Sequence, residues 1–162
     1  MMLFKTLYHS PVGDLSLVAD ETGLVGCWFV GQAYFERGLT SQPIMRMSPV
    51  LDATCAWLDS YFAGECPSVE LPLAAVGTDF QQKVWADLVE IPYGQTVTYK
   101  DLAEKRGCKS AQAIGGAVGK NPWSILIPCH RVVSSDGSLT GYAGGLDKKA
   151  WLLAHEGVSN IS

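Results

Sequence analysis

The residues best suited to chemistry lie in the heptapeptide 127–133, Ile-Pro-Cys-His-Arg-Val-Val. A neighbouring imidazole and a cation favour the thiolate, which is the nucleophilic form of cysteine. A short apolar run predicts a buried strand, and proline interrupts a sheet ladder. We therefore predict a strand that ends at Pro128 and delivers Cys129 to the floor of a pocket. The alternative is an inert buried cysteine, but it leaves Pro128, His130 and Arg131 unexplained.

The elements that must position this heptapeptide belong to a chain of 162 residues, 48% of them hydrophobic. This length can bury a core as one domain or as two small ones. No apolar run approaches the roughly 18 residues of a membrane helix, and the first residues lack the long apolar segment of a secretory signal. Five cysteines without close pairing indicate reduced thiols. We expect a cytoplasmic protein without membrane contact.

Charge is divided unevenly along the chain. Residues 1–79 contain three basic and nine acidic side chains, a net charge of −6, and residues 80–162 contain nine basic and seven acidic ones, a net charge of +2. A polyanion would therefore meet the second half of the chain more easily. Chance scatter of surface charge explains the same numbers equally well.

The first half of the sequence predicts an α/β domain. Three β-type segments, 3–8, 15–19 and 24–29, are separated by glycine-containing turns, a pattern typical of an antiparallel meander. Residues 30–47 show no clear period. Ser48 and Pro49 then open a helix that ends at Gly64. We place this domain at residues 1–72, an extended linker at 73–77 and a second domain at 78–162.

The second half predicts mainly helices. Thr78, Thr98 and Ser110 are capping residues for three of them, and Gln81 completes a capping box with Thr78. The helices after Thr98 and Ser110 are short and joined by a glycine-containing turn, as in a helix-turn-helix. A last helix covers residues 146–155, and its predicted packing positions are Leu146, Ala150, Trp151 and Leu153.

The helix after Ser110 consists mostly of small residues. Each glycine within a helix costs about 1 kcal/mol relative to alanine, and this helix contains Gly115, Gly116 and Gly119. Tight packing against another helix is one explanation. Close approach of a bulky ligand, such as a nucleic-acid backbone, is the other. The sequence does not decide between them.

Glu156 stands at the end of the last predicted helix, next to the negative pole of the helix dipole. A solvated carboxylate is the default interpretation of such a residue. Its position also becomes intelligible if Glu156 accepts a hydrogen bond from a histidine, for which His130 is the candidate.

Together these patterns resemble the O6-alkylguanine-DNA alkyltransferases, also called methylated-DNA–protein-cysteine methyltransferases. The resemblance covers residues 80–157 and rests on segments that occur in this order: Val84-Trp85, Ile-Pro-Tyr-Gly at 91–94, Thr98-Tyr99, Leu102-Ala103, Gly115, Asn121-Pro122, the heptapeptide 127–133, Gly141-Tyr142, Gly144-Gly145-Leu146, Leu152-Leu153 and Glu156-Gly157. It implies an N-terminal α/β domain with a ribonuclease H-like antiparallel sheet and a helix. It also implies a mainly α C-terminal domain with a winged-helix-like helix-turn-helix.

The resemblance implies a DNA-repair activity that consumes the protein. Cys129 would take the alkyl group from O6-alkylguanine in double-stranded DNA, with O4-alkylthymine as a further candidate substrate, and no cofactor would be needed. His130 and Glu156 would activate the thiol. Tyr99 would donate a proton or hydrogen bond to the departing guanine, and Asn121 would be the hinge between the recognition helix and the active-site strand.

The resemblance also implies which residues meet the DNA. The implied contacts are Tyr99, Gln112, Ala113, Gly115, Lys120, Arg131 and Ser135, and the implied lining of the pocket for the extruded base is Val132, Tyr142 and Gly144. Most members of the family carry an arginine at the position of Gln112, where it fills the gap that the base leaves. Glutamine lacks the planar cation, so we expect weaker DNA affinity than is usual in the family.

The remaining expectations concern metal, assembly and competing functions. Some relatives hold zinc, but His9, Cys27, Cys55 and Cys66 are the only ligands available in the first half and Cys55 belongs to a core stripe, so we expect no metal. We expect a monomer. A thiol hydrolase that uses Cys129, His130 and Glu156 is an alternative function. A reader of alkylated DNA without chemistry is another.

Overall fold

The structure is a computed structural model that describes residues 2–39, 41–74, 76–136, 138–139 and 141–158. The chain forms two compact units, Met1–Val76 and Gly77–Ser162. The domain boundaries drawn from the sequence stay a prediction. The first residue of the predicted linker, Leu73, forms a parallel bridge with Leu24 and so extends the sheet of the first unit.

The described part of the first unit contains a sheet of four strands in the order β3-β2-β1-β4. The strands are β1 (Phe4–Ser10), β2 (Gly13–Ala19), β3 (Leu24–Phe29) and β4 (Ile44–Met45). The predicted antiparallel meander is present, since β2 pairs antiparallel with both β1 and β3. The sheet is mixed rather than purely antiparallel, because β4 pairs parallel with β1 and lies in the segment where the sequence shows no period.

Both faces of this sheet are covered. Helix α1 (Pro49–Phe62) begins at Ser48, whose hydroxyl accepts from the Leu51 N–H, and contributes the buried Leu51, Leu58 and Tyr61. The opposite face contains a cluster of Leu3, Val18 and Trp28, against which Phe35 and Leu39 pack. The irregular segment before β4 therefore serves as a second cover for the sheet.

The second unit is mainly helical, as predicted. Its elements are α2 (Asp79–Val89), β5 (Val97–Thr98), α3 (Tyr99–Arg106), α4 (Ala111–Gly119), a 3-10 turn (Cys129–Arg131), β6 (Val132–Val133) and α5 (Leu146–His155). The predicted caps are confirmed: Thr78 and Thr98 form capping boxes and Ser110 accepts from the Ala113 N–H. Strand β5 pairs parallel with β6. No helix in the described ranges is long and apolar enough to cross a bilayer.

Helices α3 and α4 form the predicted helix-turn-helix. Gly107 ends α3 with φ +64°, a left-handed conformation that glycine adopts without strain. Helix α4 buries Ile114, Ala117 and Val118, and the Ala117 carbonyl accepts a 2.8 Å hydrogen bond from the Trp85 indole of α2. The remaining positions of α4 are exposed or half-buried and take no part in this packing.

Candidate active site and nucleic-acid interface

Cys129 begins a 3-10 turn that leads into β6, so the predicted strand ending at Pro128 is wrong. Pro128 adopts φ −80° and ψ 64°, and the Cys129 N–H donates to the Ile127 carbonyl at 2.8 Å. These are the features of an inverse γ-turn. Proline favours it because its ring fixes φ near this value. The apolar run 125–127 is buried, as predicted, but it is a sequence of turns rather than a strand.

Asn121 holds this segment in its turned conformation. Its side-chain amide donates to the Ile127 carbonyl at 2.9 Å, and its side-chain oxygen accepts from the Trp123 N–H at 3.0 Å. Ile125, inside the loop so closed, has φ +73°, which is a strained conformation for a β-branched residue. Asn121 thus connects the end of α4 to the turn that carries Cys129, the location predicted for the hinge.

The Cys129 side chain is buried, with 6% of the residue exposed. Burial raises the pKa of the thiol, while a hydrogen bond from the Asn121 side chain and the charge of Lys149 act in the opposite direction. Burial therefore favours the protonated thiol, whereas Asn121 and Lys149 stabilise the sulfur anion once the proton leaves.

His130 and Glu156 form the pair that the sequence suggested. The Nε2 atom of His130 lies 2.6 Å from Oε2 of Glu156, and both side chains are fully buried. Burial lowers the pKa of His130, although Glu156 opposes this shift, so the imidazole is neutral at pH 7. A neutral imidazole facing a carboxylate carries its proton on Nε2.

The other ring nitrogen of His130 is left as a base. Nδ1 is buried and has no hydrogen-bond partner within the described parts of the chain. Since Nε2 carries the proton, Nδ1 presents a lone pair. No direct hydrogen bond joins it to Cys129 in the described structure, although the two residues are neighbours in the turn. A proton leaving the sulfur therefore reaches Nδ1 through a bridging molecule or after a local movement.

Arg131 does not occupy the position predicted for it. The sequence made it a DNA contact, but it is only 8% exposed. Its Nε and Nη2 atoms donate to the two oxygens of Glu156 at 2.7 and 3.1 Å, and Nη1 donates to the Ile91 carbonyl at 2.7 Å. The guanidinium fork matches a carboxylate, so Arg131 positions Glu156 instead of meeting phosphate.

Glu156 is consequently the junction of the site. Besides His130 and Arg131, it accepts a hydrogen bond from the Gly94 N–H at 3.2 Å. Gly94 belongs to the turn after α2 and has φ +80°. A Cβ on it would lie 3.1 Å from the Glu156 carbonyl oxygen, so glycine lets the two segments come close.

Tyr99 lies between three elements of the second unit. It is the first residue of α3, and its ring is 3.9 Å from the point where a Cβ of Gly115 in α4 would lie. Its hydroxyl makes a long, 3.5 Å hydrogen bond to the Gly141 carbonyl in the glycine loop. The phenol therefore lies where α4 meets the glycine loop, and its role toward a departing guanine stays a prediction.

Lys149 is a buried residue of this site that the sequence reasoning missed. Its side chain is fully buried, and its ammonium lies 5.8 Å from the centre of the Tyr99 ring. Its pKa is lowered by burial to about 8, and Cys129 opposes this shift. The predicted packing positions on α5 were partly wrong: Leu153 is buried, but Leu146 is 48% exposed.

The signal that could have found Lys149 is helical spacing. The buried positions of the last helix are 149, 152 and 153, followed by the buried Glu156. This is the i, i+3, i+4, i+7 pattern of one helix face. Lys149 lies seven residues before Glu156 and so on the same helix face. Since the sequence already suggested a buried role for Glu156, this spacing could have predicted that Lys149 is buried too.

The exposed face of α4 is nearly smooth. Gln112 and Ala113 are exposed, and Gly115 and Lys120 are half-buried. A Cβ added at Gly116 or Gly119 would find no atom within 4 Å. Packing within the described chain therefore does not require these glycines, which removes the first of the two explanations drawn from the sequence. Close approach of a ligand remains.

The other predicted contacts differ in exposure. Ser135 is exposed. Val132 is fully buried in β6, so its side chain belongs to the interior rather than to an open pocket. Tyr142 is 9% exposed, and Gly144 is half-buried in the loop before α5. The roles of these residues toward a base stay predictions.

The described residues contain no group of three or more His, Cys, Asp or Glu side chains that could hold a metal ion. All five cysteines, each of them in the described ranges, are free thiols. Whether the protein works without a metal stays a prediction.

Comparison with known proteins gives consistent matches over nearly the whole chain. A family model described as 6-O-methylguanine DNA methyltransferase, DNA binding domain, matches residues 79–158, and the ribonuclease-like domain of the same family matches residues 3–75. The methylated-DNA–protein-cysteine methyltransferase of Methanosarcina acetivorans is 40% identical over 157 residues, which are 96% of this chain and 99% of that protein.

Solved structures agree with these matches. The O6-methylguanine methyltransferase of Mycobacterium tuberculosis superposes with a TM-score of 0.83 at 37% identity, covering 96% of this chain and 93% of its own. Mycobacterium tuberculosis OGT in complex with DNA gives a TM-score of 0.83 at 36% identity, covering 96% and 92%. The predicted two-part fold class is confirmed. With both halves matched in order, the chain belongs to the 6-O-methylguanine DNA methyltransferase family.

Proposed function

We propose that this protein repairs DNA by transferring the alkyl group of O6-alkylguanine to its own Cys129, once per molecule. The observation that carries the proposal is a buried cysteine followed directly by a histidine that is hydrogen-bonded to a buried glutamate. Relatives that are 40% identical to this chain are methylated-DNA–protein-cysteine methyltransferases.

The transfer is an in-line displacement. The Cys129 thiol loses its proton toward Nδ1 of His130, and Glu156 stabilises the imidazolium that forms. A sulfur lone pair then forms the bond to the alkyl carbon, and the bond from that carbon to guanine O6 breaks. The leaving guanine takes the electron pair and is neutralised by a proton, for which Tyr99 is the proposed donor.

The product explains why the protein acts only once. An S-alkyl cysteine is a thioether without a good leaving group, and no thiolate remains for a second reaction. The lesion supplies the group that is transferred, so the step balances without a diffusible cofactor. A thiol hydrolase built from the same residues would instead release its product and turn over.

The smooth face of α4 is the proposed DNA contact. Small residues allow the helix backbone to lie against a groove, and Gln112 is the side chain that projects from this face. The target base must leave the stack, because its O6 cannot be reached in line within a duplex. We propose that the protein acts on double-stranded DNA, as a monomer, and in the cytoplasm.

A titration with a synthetic duplex that carries one O6-methylguanine tests this function. We expect one lesion repaired per protein molecule and a mass gain of one methyl group on the peptide that contains Cys129. Cys129→Ser should repair nothing, whereas Cys66→Ser, which changes an exposed cysteine of the first unit, should repair as the parent does. Repeated turnover, or repair by Cys129→Ser, would refute the proposal.

A further inference from the structure

Asp87 of α2 is a buried carboxylate that the proposed chemistry does not use. It is 5% exposed, and its Oδ2 atom lies 2.7 Å from Nε of Arg106, the last residue of α3. A buried carboxylate is costly unless a cation compensates it. Arg106 supplies that cation, so the two side chains form an ion pair between the helices.

A more exposed ion pair lies beside the first. Lys105 is 3.7 Å from Oδ1 of Asp87 and also pairs with Glu90, the residue after α2. Lys105 and Arg106 are two of the nine basic side chains of residues 80–162. Basic side chains on a helix-turn-helix predict phosphate contacts. Here both lie beside carboxylates of the α2 segment, so part of the positive charge of this half is used within the protein.

The two ends of α3 are held by different contacts. Only Leu102 and Ala103 of its eight residues are buried. Its N-terminal end is capped by Thr98, which belongs to β5 and is paired with β6. Its C-terminal end passes at Gly107 directly into the turn that leads to α4. The ion pair of Asp87 binds this second end to α2.

Helix α2 also holds the second helix of the motif. The indole N–H of Trp85, two residues before Asp87, donates to the Ala117 carbonyl of α4 at 2.8 Å. Helix α2 therefore contacts α4 through Trp85 and α3 through Asp87. Both contacts are polar and directional, so together they restrict the orientation of the two helices and of the turn between them.

We propose that Asp87 is a positioning residue for DNA binding, which acts through Arg106 to hold the end of α3 and the following turn so that α4 meets the DNA in its binding orientation. This role rests on the proposed function and deepens it. Asp87 itself is buried and would contact neither DNA nor the reacting atoms. Without its charge, Arg106 would move toward solvent together with the end of α3. The binding-competent arrangement would then be populated only part of the time.

The first experiment measures affinity for an undamaged synthetic duplex by fluorescence anisotropy. Asp87→Asn keeps the size of the side chain but leaves Arg106 uncompensated. If the competent arrangement falls to about a tenth of the molecules, affinity falls about tenfold, and the salt dependence stays parental because no phosphate contact is lost. Glu90→Gln removes the same charge from the exposed pair and should not weaken binding.

Two results of this experiment would overturn the inference. Parental affinity in folded Asp87→Asn would mean that the ion pair serves stability alone. Tighter binding would mean that Asp87 acts only through its charge, since the loss of a negative charge favours association with DNA.

The second experiment separates positioning from direct contact. Arg106→Met should weaken binding as Asp87→Asn does. The double variant that combines Asp87→Leu with Arg106→Met should recover most of the parental affinity, because an apolar pair can replace a buried ion pair. A double variant that stays as weak as Arg106→Met would show that Arg106 itself meets the phosphates, and would overturn the inference.

A milder variant keeps the test available if a single variant does not fold. Arg106→Lys retains a cation beside Asp87 but loses the guanidinium. We expect affinity for the duplex to fall about threefold. Unchanged affinity in this variant would count against the role of the ion pair in the same way.

The third experiment distinguishes binding from chemistry by following single-turnover methyl transfer at increasing concentrations of lesion-bearing duplex. Because Thr98 holds the end of α3 that carries Tyr99, Asp87→Asn should reach the parental maximal rate and need about tenfold more duplex for half of it. A lower maximal rate at an unchanged half-saturating concentration would overturn the inference. A parent protein that takes no methyl group from DNA would instead refute the proposed function, and the affinity measurements would still decide the role of Asp87.

Discussion

The Nε2 atom of His130 and the Oε2 atom of Glu156 lie 2.6 Å apart with both side chains closed to solvent. The carboxylate fixes the tautomer of the imidazole and leaves Nδ1 as the base. The same carboxylate receives the guanidinium of Arg131. One buried side chain thus supports both the chemistry and the folded state.

Glu156→Gln should impair both. The amide cannot balance the charge of Arg131, and an unpaired buried charge costs about 3–5 kcal/mol. The neutral amide of glutamine also stabilises the imidazolium of His130 less than the carboxylate does, so the rate of methyl transfer should fall about 100-fold. Urea unfolding and single-turnover transfer measure the two effects. The matched control is Glu90→Gln, an exposed glutamate paired with Lys105, which should change neither. Parental transfer rates in Glu156→Gln would exclude the role given to this carboxylate.

The buried His130 should make stability depend on pH. Burial lowers its pKa from 6.5 in spite of Glu156, so below pH 6.5 the unfolded chain binds the proton more readily than the folded one. Unfolding free energy should fall with decreasing pH below 6.5, by at most about 1.4 kcal/mol per pH unit, and remain constant above it. Urea titrations between about pH 7.5 and about pH 5 measure the slope. His130→Gln should flatten it, and the exposed His9→Gln should not; a slope that survives His130→Gln must come from another group.

Local patterns in the sequence predicted more than distant ones. The caps at Thr78, Thr98 and Ser110 were predictable because a cap is decided within four residues. Strand β4 and the β5–β6 pair were not, because two-residue strands have no period and exist only through their partners. The turn at Cys129 was mistaken for a strand because Asn121, six residues before Ile127, closes the loop from outside the apolar run.

The candidate site shows the same division. The pairing of His130 with Glu156 could be inferred because Glu156 stands at the C-terminal, negative end of a helix, where a carboxylate needs a stabilising partner. The burial of Arg131 and Lys149 could not be inferred from residue type, because both are usually exposed. For Lys149 the spacing to Glu156 carried the information, whereas nothing in the sequence connects Arg131 with the Ile91 carbonyl.

Arg131→Lys should weaken the fold and leave DNA binding unchanged. Lysine cannot reproduce the fork that reaches Glu156 and Ile91 together, so unfolding free energy should fall by about 2–3 kcal/mol. The affinity of the folded variant for a lesion-bearing duplex, and its dependence on salt, should match the parent. Lys120→Ala is the contrasting variant, with parental stability and a salt slope smaller by about one. Because lysine keeps the positive charge, affinity decides: weaker binding of the folded Arg131→Lys variant to the duplex would restore Arg131 as a DNA contact.

Gly116→Ala should move stability and DNA affinity in opposite directions. An added Cβ meets no atom within 4 Å in the free protein, and alanine favours a helix over glycine by about 1 kcal/mol. In the DNA complex the added methyl group would hold the backbone of α4 away from the DNA groove. We therefore expect binding about tenfold weaker, equivalent to roughly 1.4 kcal/mol. Thermal unfolding and fluorescence anisotropy measure the two. Ala86→Gly, on an exposed position of α2, should lower stability alone. Unchanged DNA affinity in Gly116→Ala would remove this face of α4 from the interface.

Gln112→Arg should tighten DNA binding. Gln112 is exposed near the start of α4, and an arginine there adds a cation that attracts phosphate and a plane that stacks on bases. Affinity for a lesion-bearing duplex should rise, and the slope of its logarithm against the logarithm of salt concentration should steepen by about one. Gln82→Arg adds the same charge on the exposed side of α2 and controls for net charge alone. Equal gains in the two variants would show that charge, rather than insertion at position 112, produces the effect.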